Sequence, residues 1–441
     1  MLSTDFHFAR RQQLLAQLKP NSVCIIPAAS LVTRSRDTEY TFRQDSDFWY
    51  LTGFHEPDAW LILSNSDEHN GHYALLACQP KDELAEVWQG RRVGPIQALK
   101  QYQMDDTCSV EEIVWVLTEM LNGHTHLYFA LAHNQIAEAI VLDVMSDLRA
   151  APKQSKIAPS SILDIRPFLN EMRLFKSNEE LAIMQHAGEI SARAHCRAMR
   201  AVQSAEYEYQ LEAEILHEFA YAGARNAAYS TIVGSGENAC ILHYTENSDP
   251  LQAGDLVLID AGAELHGYAA DITRTFPING VFSIPQARIY QLVLDGQLAA
   301  LSVLKPGATI AESMQACLQV LVAGLVDLNI LKGSVDTLIN EKAYQPFFMH
   351  GLGHWLGLDV HDVGDYNRDQ QERRLEPGMV MTVEPGLYIA SNADVPPEFA
   401  GIGIRIEDNI VITENGYQLL THGVPKTIAE IEALIQQAKY E

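Results

Sequence analysis

Four carboxylates and a run of histidines are the residues through which this sequence could do chemistry. Asp260 ends the apolar run Asp255-Leu-Val-Leu-Ile-Asp260. Asp271 lies in a returning run, Tyr268–Phe276, across a turn supplied by Ala261-Gly262 and His266-Gly267. If the runs pair as a hairpin with the two aspartates opposite each other, their Cβ atoms stand roughly 4.5–5.5 Å apart. Like charges so placed repel unless a cation lies between them. Exposed strand-end acids in an acidic protein would account for either residue alone. Their apolar flanks argue instead for a bound metal ion.

Glu384 repeats the pattern at the end of Met379-Val-Met-Thr-Val-Glu384, followed by Pro385-Gly386. In Gly401–Glu407, Ile402, Ile404 and Ile406 alternate with Gly403, Arg405 and Glu407, so the latter three share a face. A solvated Arg–Glu pair is the plainer account of Glu407, but the glycines would leave room for a ligand. His350, His354 and His361 fall within twelve positions of a Gly-rich stretch. A lone histidine is usually structural, whereas three together more often mark a site. Two divalent cations would neutralise the four carboxylates. Oxygen-dominated ligation with one imidazole suits Mn²⁺, Co²⁺ or Zn²⁺ in an open catalytic site better than a closed thiolate site. Two such ions, about 3.5–4 Å apart, turn a bridging water into a hydroxide nucleophile near neutral pH.

The elements that must position these groups belong to a chain of 441 residues, with 31 Lys+Arg against 57 Asp+Glu and a formal net charge of −26. That length implies two or three domains, and the charge argues against nucleic acid or an anionic membrane surface as partner. No secretory signal or membrane span is evident. The scattered cysteines at 24, 78, 108, 196, 240 and 317 point to reduced thiols and a cytoplasmic location. Trp60–Leu63 and Tyr73–Ala77 read as strands, and Glu111–Leu121 has helical spacing. The Pro- and Ser-rich segment 150–161 reads as a linker region. Ser177 and Glu180 form a capping box at the start of a long helix, so the boundary is placed to give domains 1–174 and 175–441. Two acid-ended strands, each followed by a Gly turn and a second acid-bearing strand, hint at an internal duplication.

With these residues in hand, the order Asp260, Asp271, His354, Glu384, Glu407 resembles the metal ligands of the "pita-bread" metallopeptidases. His350–Asp362 is similar to the signature of their proline-peptidase branch. Arg36–Phe54 and Glu86-Val-Trp-Gln-Gly-Arg-Arg92 resemble the N-terminal domain of aminopeptidase P. The resemblance implies an α/β (α+β) fold: an N-terminal mixed α/β domain, then a catalytic domain of two pseudo-twofold strand–helix halves. It also implies two divalent ions, Mn²⁺ first, with Co²⁺ or Zn²⁺ as alternatives. Asp260 would hold one ion, Asp271 and Glu407 both, and His354 and Glu384 the other, with Glu384 taking the proton of the bridging water. His361 would hydrogen-bond near the scissile carbonyl, and His243 and His350 would line the proline side. Arg405 would orient the site or meet a substrate carboxylate. Tyr229 would touch substrate, a packed aromatic being its plainer account. Trp88 would form a lid from a neighbouring subunit, with core packing as its plainer account.

The expected activity is release of an N-terminal residue that precedes proline, by a homodimer or homotetramer. Prolidase, a dipeptidase on the same scaffold, is the alternative. A non-catalytic binding module of this fold is disfavoured because all five ligand positions are filled.

Overall fold

The computed structural model describes residues 1–67 and 71–437, in two compact units: Met1–Met172, and a second that begins at Arg173. Both are mixed α/β. In the first unit a six-stranded sheet runs in the order Asp106–Ser109, Tyr73–Cys78, Trp60–Ser64, Ser22–Pro27, His126–Tyr128, Ser161–Leu163. Val23, Ile25, Ile62 and Leu75 pack against Val116, Leu117 and Met120 of helix Ile113–Leu121 and against Val141, Val144 and Met145 of helix Gln135–Ala150. The strands expected at Trp60 and Tyr73 are there. The helical spacing from Glu111 becomes a 3₁₀ turn at Val110–Glu112 followed by Ile113–Leu121.

Two readings of this region are corrected. Segment 150–161 is no connection between units: it joins helix Gln135–Ala150 to the edge strand Ser161–Leu163 inside the first unit. Proline and serine favour any exposed chain reversal, whatever it connects. Core packing of Trp88 also fails. Helix Glu83–Gln89 buries no residue, and Trp88 is 86% exposed beside Leu84 at 79% and Val87 at 77%.

In the second unit, helix α1 (Asn178–Ala201) starts at the capping box: the Ser177 N–H donates to Glu180 Oε2 at 2.8 Å and Ser177 Oγ accepts from the Glu180 N–H. Helix α2 (Glu208–Tyr221) packs on it. After the short strand Asn226–Ala227 come β1 (Ile232–Ser235), β2 (Leu256–Asp260), β3 (Ala263–Leu265), β4 (Tyr268–Ala269) and β5 (Thr273–Pro277). Strands β2–β3 and β4–β5 are the legs of one bent hairpin, because Asp260 pairs with Thr273 and Glu264 with Ala269 in the same register. His266 and Gly267 turn it with φ of 51° and 87°, the positive values a two-residue type I′ turn demands. The returning run is therefore interrupted at 270–272 rather than continuous.

Helices α3 (Ile284–Val303) and α4 (Ile310–Asp327) then lead into β6 (Val380–Val383), β7 (Gly386–Ile389), β8 (Ile402–Arg405), β9 (Asp408–Thr413) and β10 (Gly416–Leu419). Here β6–β7 and β8–β9 form a second bent hairpin: Val383 pairs with Asp408 and Gly386 with Arg405. The suspected duplication is thus a repeat of bent hairpins with acids at the bends.

By length and composition α4 could cross a membrane. Its apolar face instead packs on α3. A β-carbon at Gly324 would lie 2.2 Å from Leu292, Cys317 and Leu321 are buried, and Ser313 Oγ donates to the Ala300 carbonyl at 2.8 Å.

Candidate active site

The first hairpin does not set its aspartates directly opposite, as the spacing had implied. Asp260 faces Thr273, so Asp271 lies two residues further along the partner leg, a diagonal neighbour on the same face. In that register Asp271 faces Gly262, where a β-carbon would come 1.7 Å from the Ala270 carbonyl oxygen. Only glycine allows the legs to approach so closely. The carboxylates still converge, because the Tyr229 hydroxyl sits between Asp260 Oδ1 and Asp271 Oδ1 and can donate to either. In the second hairpin the register places Glu384 and Glu407 face to face at the bend.

His354 reaches the same point by a different device. Residues 352–356 run antiparallel beside β6: Glu384 N–H donates to Leu352 O, Thr382 N–H to His354 O, and Leu356 N–H to Val380 O. A β-carbon at Gly353 would meet the Thr382 carbonyl oxygen at 2.0 Å. His354 Nδ1 lies 2.9 Å from the Trp355 carbonyl oxygen and must carry the proton there. That leaves Nε2 as a lone pair in the neutral ring, 3.5 Å from Asp271 Oδ2 and from Glu384 Oε1.

Buried partners hold the acids. Arg405 donates to Asp260 Oδ2 at 2.6 Å, to Thr273 Oγ1 at 3.0 Å and to the Tyr388 hydroxyl at 3.0 Å. Its guanidinium thus ties Asp260 to Thr273 and Tyr388 at the wall of the cavity. Thr273 Oγ1 donates to Glu407 Oε2 at 2.7 Å. The Asn409 side chain grips the Asp271 backbone, accepting from its N–H and donating to its carbonyl. Arg274, 1% exposed, donates to the Glu407 carbonyl and to Asp408. On the inner face of α1, His195 donates to the Ala261 carbonyl at 3.0 Å.

Ten expected residues line one cavity of about 570 Å³: Tyr229, His243, Asp260, Asp271, His350, His354, His361, Glu384, Arg405 and Glu407. Trp88 does not line it. Tyr229 lies against the acids themselves. The His361 ring stands edge-on to His354, 4.2 Å between centroids. His350 is fixed through the Tyr388 hydroxyl and the Gly351 carbonyl, both at 2.8 Å. Thr273, Tyr388 and Asn409 went unnoticed in the sequence. The first and last lie two residues from a candidate ligand, and that proximity was the only available signal.

The electrostatics show what this cluster suits. Burial pushes the Glu407 carboxyl well above the usual range, and the charges of Asp271, Glu384 and Asp260 push it further. Burial also raises Asp271, with Asp260 adding to it. Glu384 is raised to about 7, chiefly by burial, with His354 opposing and Asp271 adding. Burial disfavours charge on His354, yet its hydrogen bond to Asp271 and the Asp271 and Glu384 charges hold it up at about 9. Burial and the Arg405 charge lower His350 to about 4. Acids that cannot all ionise together are what divalent cations would neutralise. Single ligand atoms of Asp271, His354 and Glu407 all lie within 4.8 Å of one another. Carboxylate oxygens with one imidazole nitrogen fit such an ion.

The sequence model of metallopeptidase family M24 matches residues 182–414, and that of the aminopeptidase P N-terminal domain matches residues 7–128. The chain belongs to metallopeptidase family M24. Xaa-Pro aminopeptidase of Escherichia coli is 52% identical over 430 residues, 98% of this chain and 97% of that protein. A substituted Escherichia coli aminopeptidase P solved in complex with substrate superposes with a TM-score of 0.98 at 51% identity, covering 100% of both chains. The same Escherichia coli protein solved with the inhibitor Pro-Leu gives 0.97 at 50% identity, again over 100% of both chains. Within M24 the chain falls in the aminopeptidase P branch and is a metallo-exopeptidase, and its acid–imidazole cluster is where divalent ions fit.

Proposed function

We propose that this chain is a dinuclear-metal aminopeptidase that hydrolyses the bond between an N-terminal residue and a penultimate proline. The observation that carries the reading is the convergence of Asp260, Asp271, His354, Glu384 and Glu407 on a cavity that His243, His350 and His361 also line. Asp260 would hold one ion, Asp271 and Glu407 both, and His354 and Glu384 the second, with Mn²⁺ the first choice and Co²⁺ or Zn²⁺ as alternatives. Bound there, the ions supply an acidified water as nucleophile and a Lewis acid for the scissile carbonyl.

The remaining steps belong to side chains. Glu384 takes the proton of the attacking water and delivers it toward the leaving proline nitrogen. His361 donates to the carbonyl oxygen as charge develops on it. His350 and His243 bound the pyrrolidine ring, His350 as a neutral donor–acceptor because burial and Arg405 keep it uncharged. Arg405 holds Asp260 in place. Proline has no N–H and a fixed φ, so peptidases that need that donor handle it poorly, and a pocket walled by imidazoles fills the gap.

Residues 1–174 serve as the aminopeptidase P-like domain and 175–441 as the catalytic one. Trp88, exposed on its helix, would close over a neighbouring subunit's cavity in a homodimer or homotetramer. The six unpaired cysteines suit the cytoplasm. The test compares kcat/KM for Xaa-Pro-Yaa, its N-acetylated form, Xaa-Ala-Yaa and Xaa-Pro under one metal supply. Only the unblocked tripeptide with proline should turn over well. Efficient cleavage of the dipeptide with none of the tripeptide assigns prolidase instead.

A further inference from the structure

Glu208, at the first turn of α2, is fully buried, yet its carboxylate touches no candidate ligand. Its Oε1 accepts from the Ser235 N–H at 2.7 Å, the Ser235 hydroxyl at 2.8 Å and the Asn238 amide at 3.1 Å. Its Oε2 accepts from the Tyr244 hydroxyl at 2.8 Å and the Asp249 N–H at 2.9 Å. Ser235 ends β1, and Asp249 lies at the other end of the loop that returns to β2. One carboxylate therefore ties both ends of a compact Ω-like loop. Leu242, His243 and Thr245, which line the cavity, lie on that loop.

We propose that Glu208 is a positioning residue for the substrate side of the cavity, closing the neck of the loop that presents His243. The claim rests on the aminopeptidase reading given above. A second contact locates the loop from the other side: a β-carbon at Gly403 would come 2.4 Å from the Ala239 carbonyl. The loop is thus seated on β8, which carries Arg405, and held at its neck from α2. Glutamine at 208 keeps the shape but offers one acceptor oxygen instead of two. Whichever way its amide turns, the backbone N–H of Ser235 or of Asp249 loses its acceptor, and the loop can no longer hold both ends.

The experiment uses metal-loaded wild type, Glu208→Gln and Tyr244→Phe. Three quantities are read: kcat and KM for an Xaa-Pro-Yaa tripeptide, calorimetric affinity for Pro-Leu, and amide hydrogen exchange across 236–245. Glu208→Gln should raise KM and weaken Pro-Leu binding by about tenfold each, as loss of a buried hydrogen-bonded acceptor implies. Its kcat should stay within about twofold and its metal content should be unchanged, with faster exchange confined to the loop. Tyr244→Phe, which removes one donor, should move KM and affinity the same way by a smaller factor, and decides the matter alone if Glu208→Gln does not fold. Unchanged KM and Pro-Leu affinity in folded variants overturns the proposal, as does a fall in kcat alone. A wild type that binds Pro-Leu but fails to cleave the tripeptide overturns the aminopeptidase reading, while Pro-Leu binding and exchange still test the neck.

Discussion

Asp271 is held at both ends, its backbone by Asn409 and its side chain between Tyr229 and His354. Asp271→Ala or Glu407→Ala should lose both ions and with them activity, since each is proposed to touch both. Full metal occupancy with near-normal turnover in both variants would refute the dinuclear site. His361→Ala should keep its metal and lose kcat by about 2.7–4 kcal/mol of transition-state stabilisation. Metal analysis beside steady-state kinetics checks this, and loss of metal in step with activity would make His361 a ligand. The metal-free chain carries a pH signature as well. Glu384 is raised from an ordinary 4.5 to about 7, so between those values the folded state holds more protons than the unfolded one. The contribution of Glu384 to the stability of the metal-free protein should therefore fall as pH rises through that window. Thermal unfolding from pH 4.5 to 7 should show wild type losing stability relative to Glu384→Gln as pH rises.

At the scale of elements, the centre is built by two bent hairpins and one strand-like segment, all brought close by glycine. Gly262 and Gly353 stand where a β-carbon would overlap a carbonyl oxygen at 1.7 Å and 2.0 Å. Gly353→Ala should push residues 352–356 off β6, displacing His354 and costing about 1–3 kcal/mol of stability. Denaturant unfolding and metal titration together test this. A variant of unchanged stability and metal affinity would show that the segment has slack the structure denies it.

For the whole molecule, the helix Glu83–Gln89 is the feature a lone chain leaves unexplained. Three large apolar side chains, Leu84, Val87 and Trp88, point outward there. Sedimentation should find dimers or tetramers. Trp88→Ala should keep metal content and thermal stability, because the side chain is 86% exposed, while lowering kcat/KM for longer peptides. A monomeric protein with Trp88→Ala kinetics equal to wild type would remove the proposed lid.

The chemistry of the site was legible from residue types: acids at the ends of apolar runs and histidines in a glycine-rich segment need counter-charges wherever they meet. The capping box at Ser177 and the apolar strands at Trp60 and Tyr73 were legible too, because they depend on neighbours a few residues away. Spacing alone could not give the hairpin register. A two-residue shift of register separates Asp260 facing Asp271 from Asp260 facing Thr273, and the turn at His266-Gly267 chose the latter. Nor could it tell a linker from an internal turn at 150–161, since both are exposed and polar. The supporting partners Thr273, Asn409, Tyr388 and Glu208 were invisible for a further reason. They act through hydrogen bonds to residues that only the folded chain brings near, up to 138 positions away for Asn409 and Asp271.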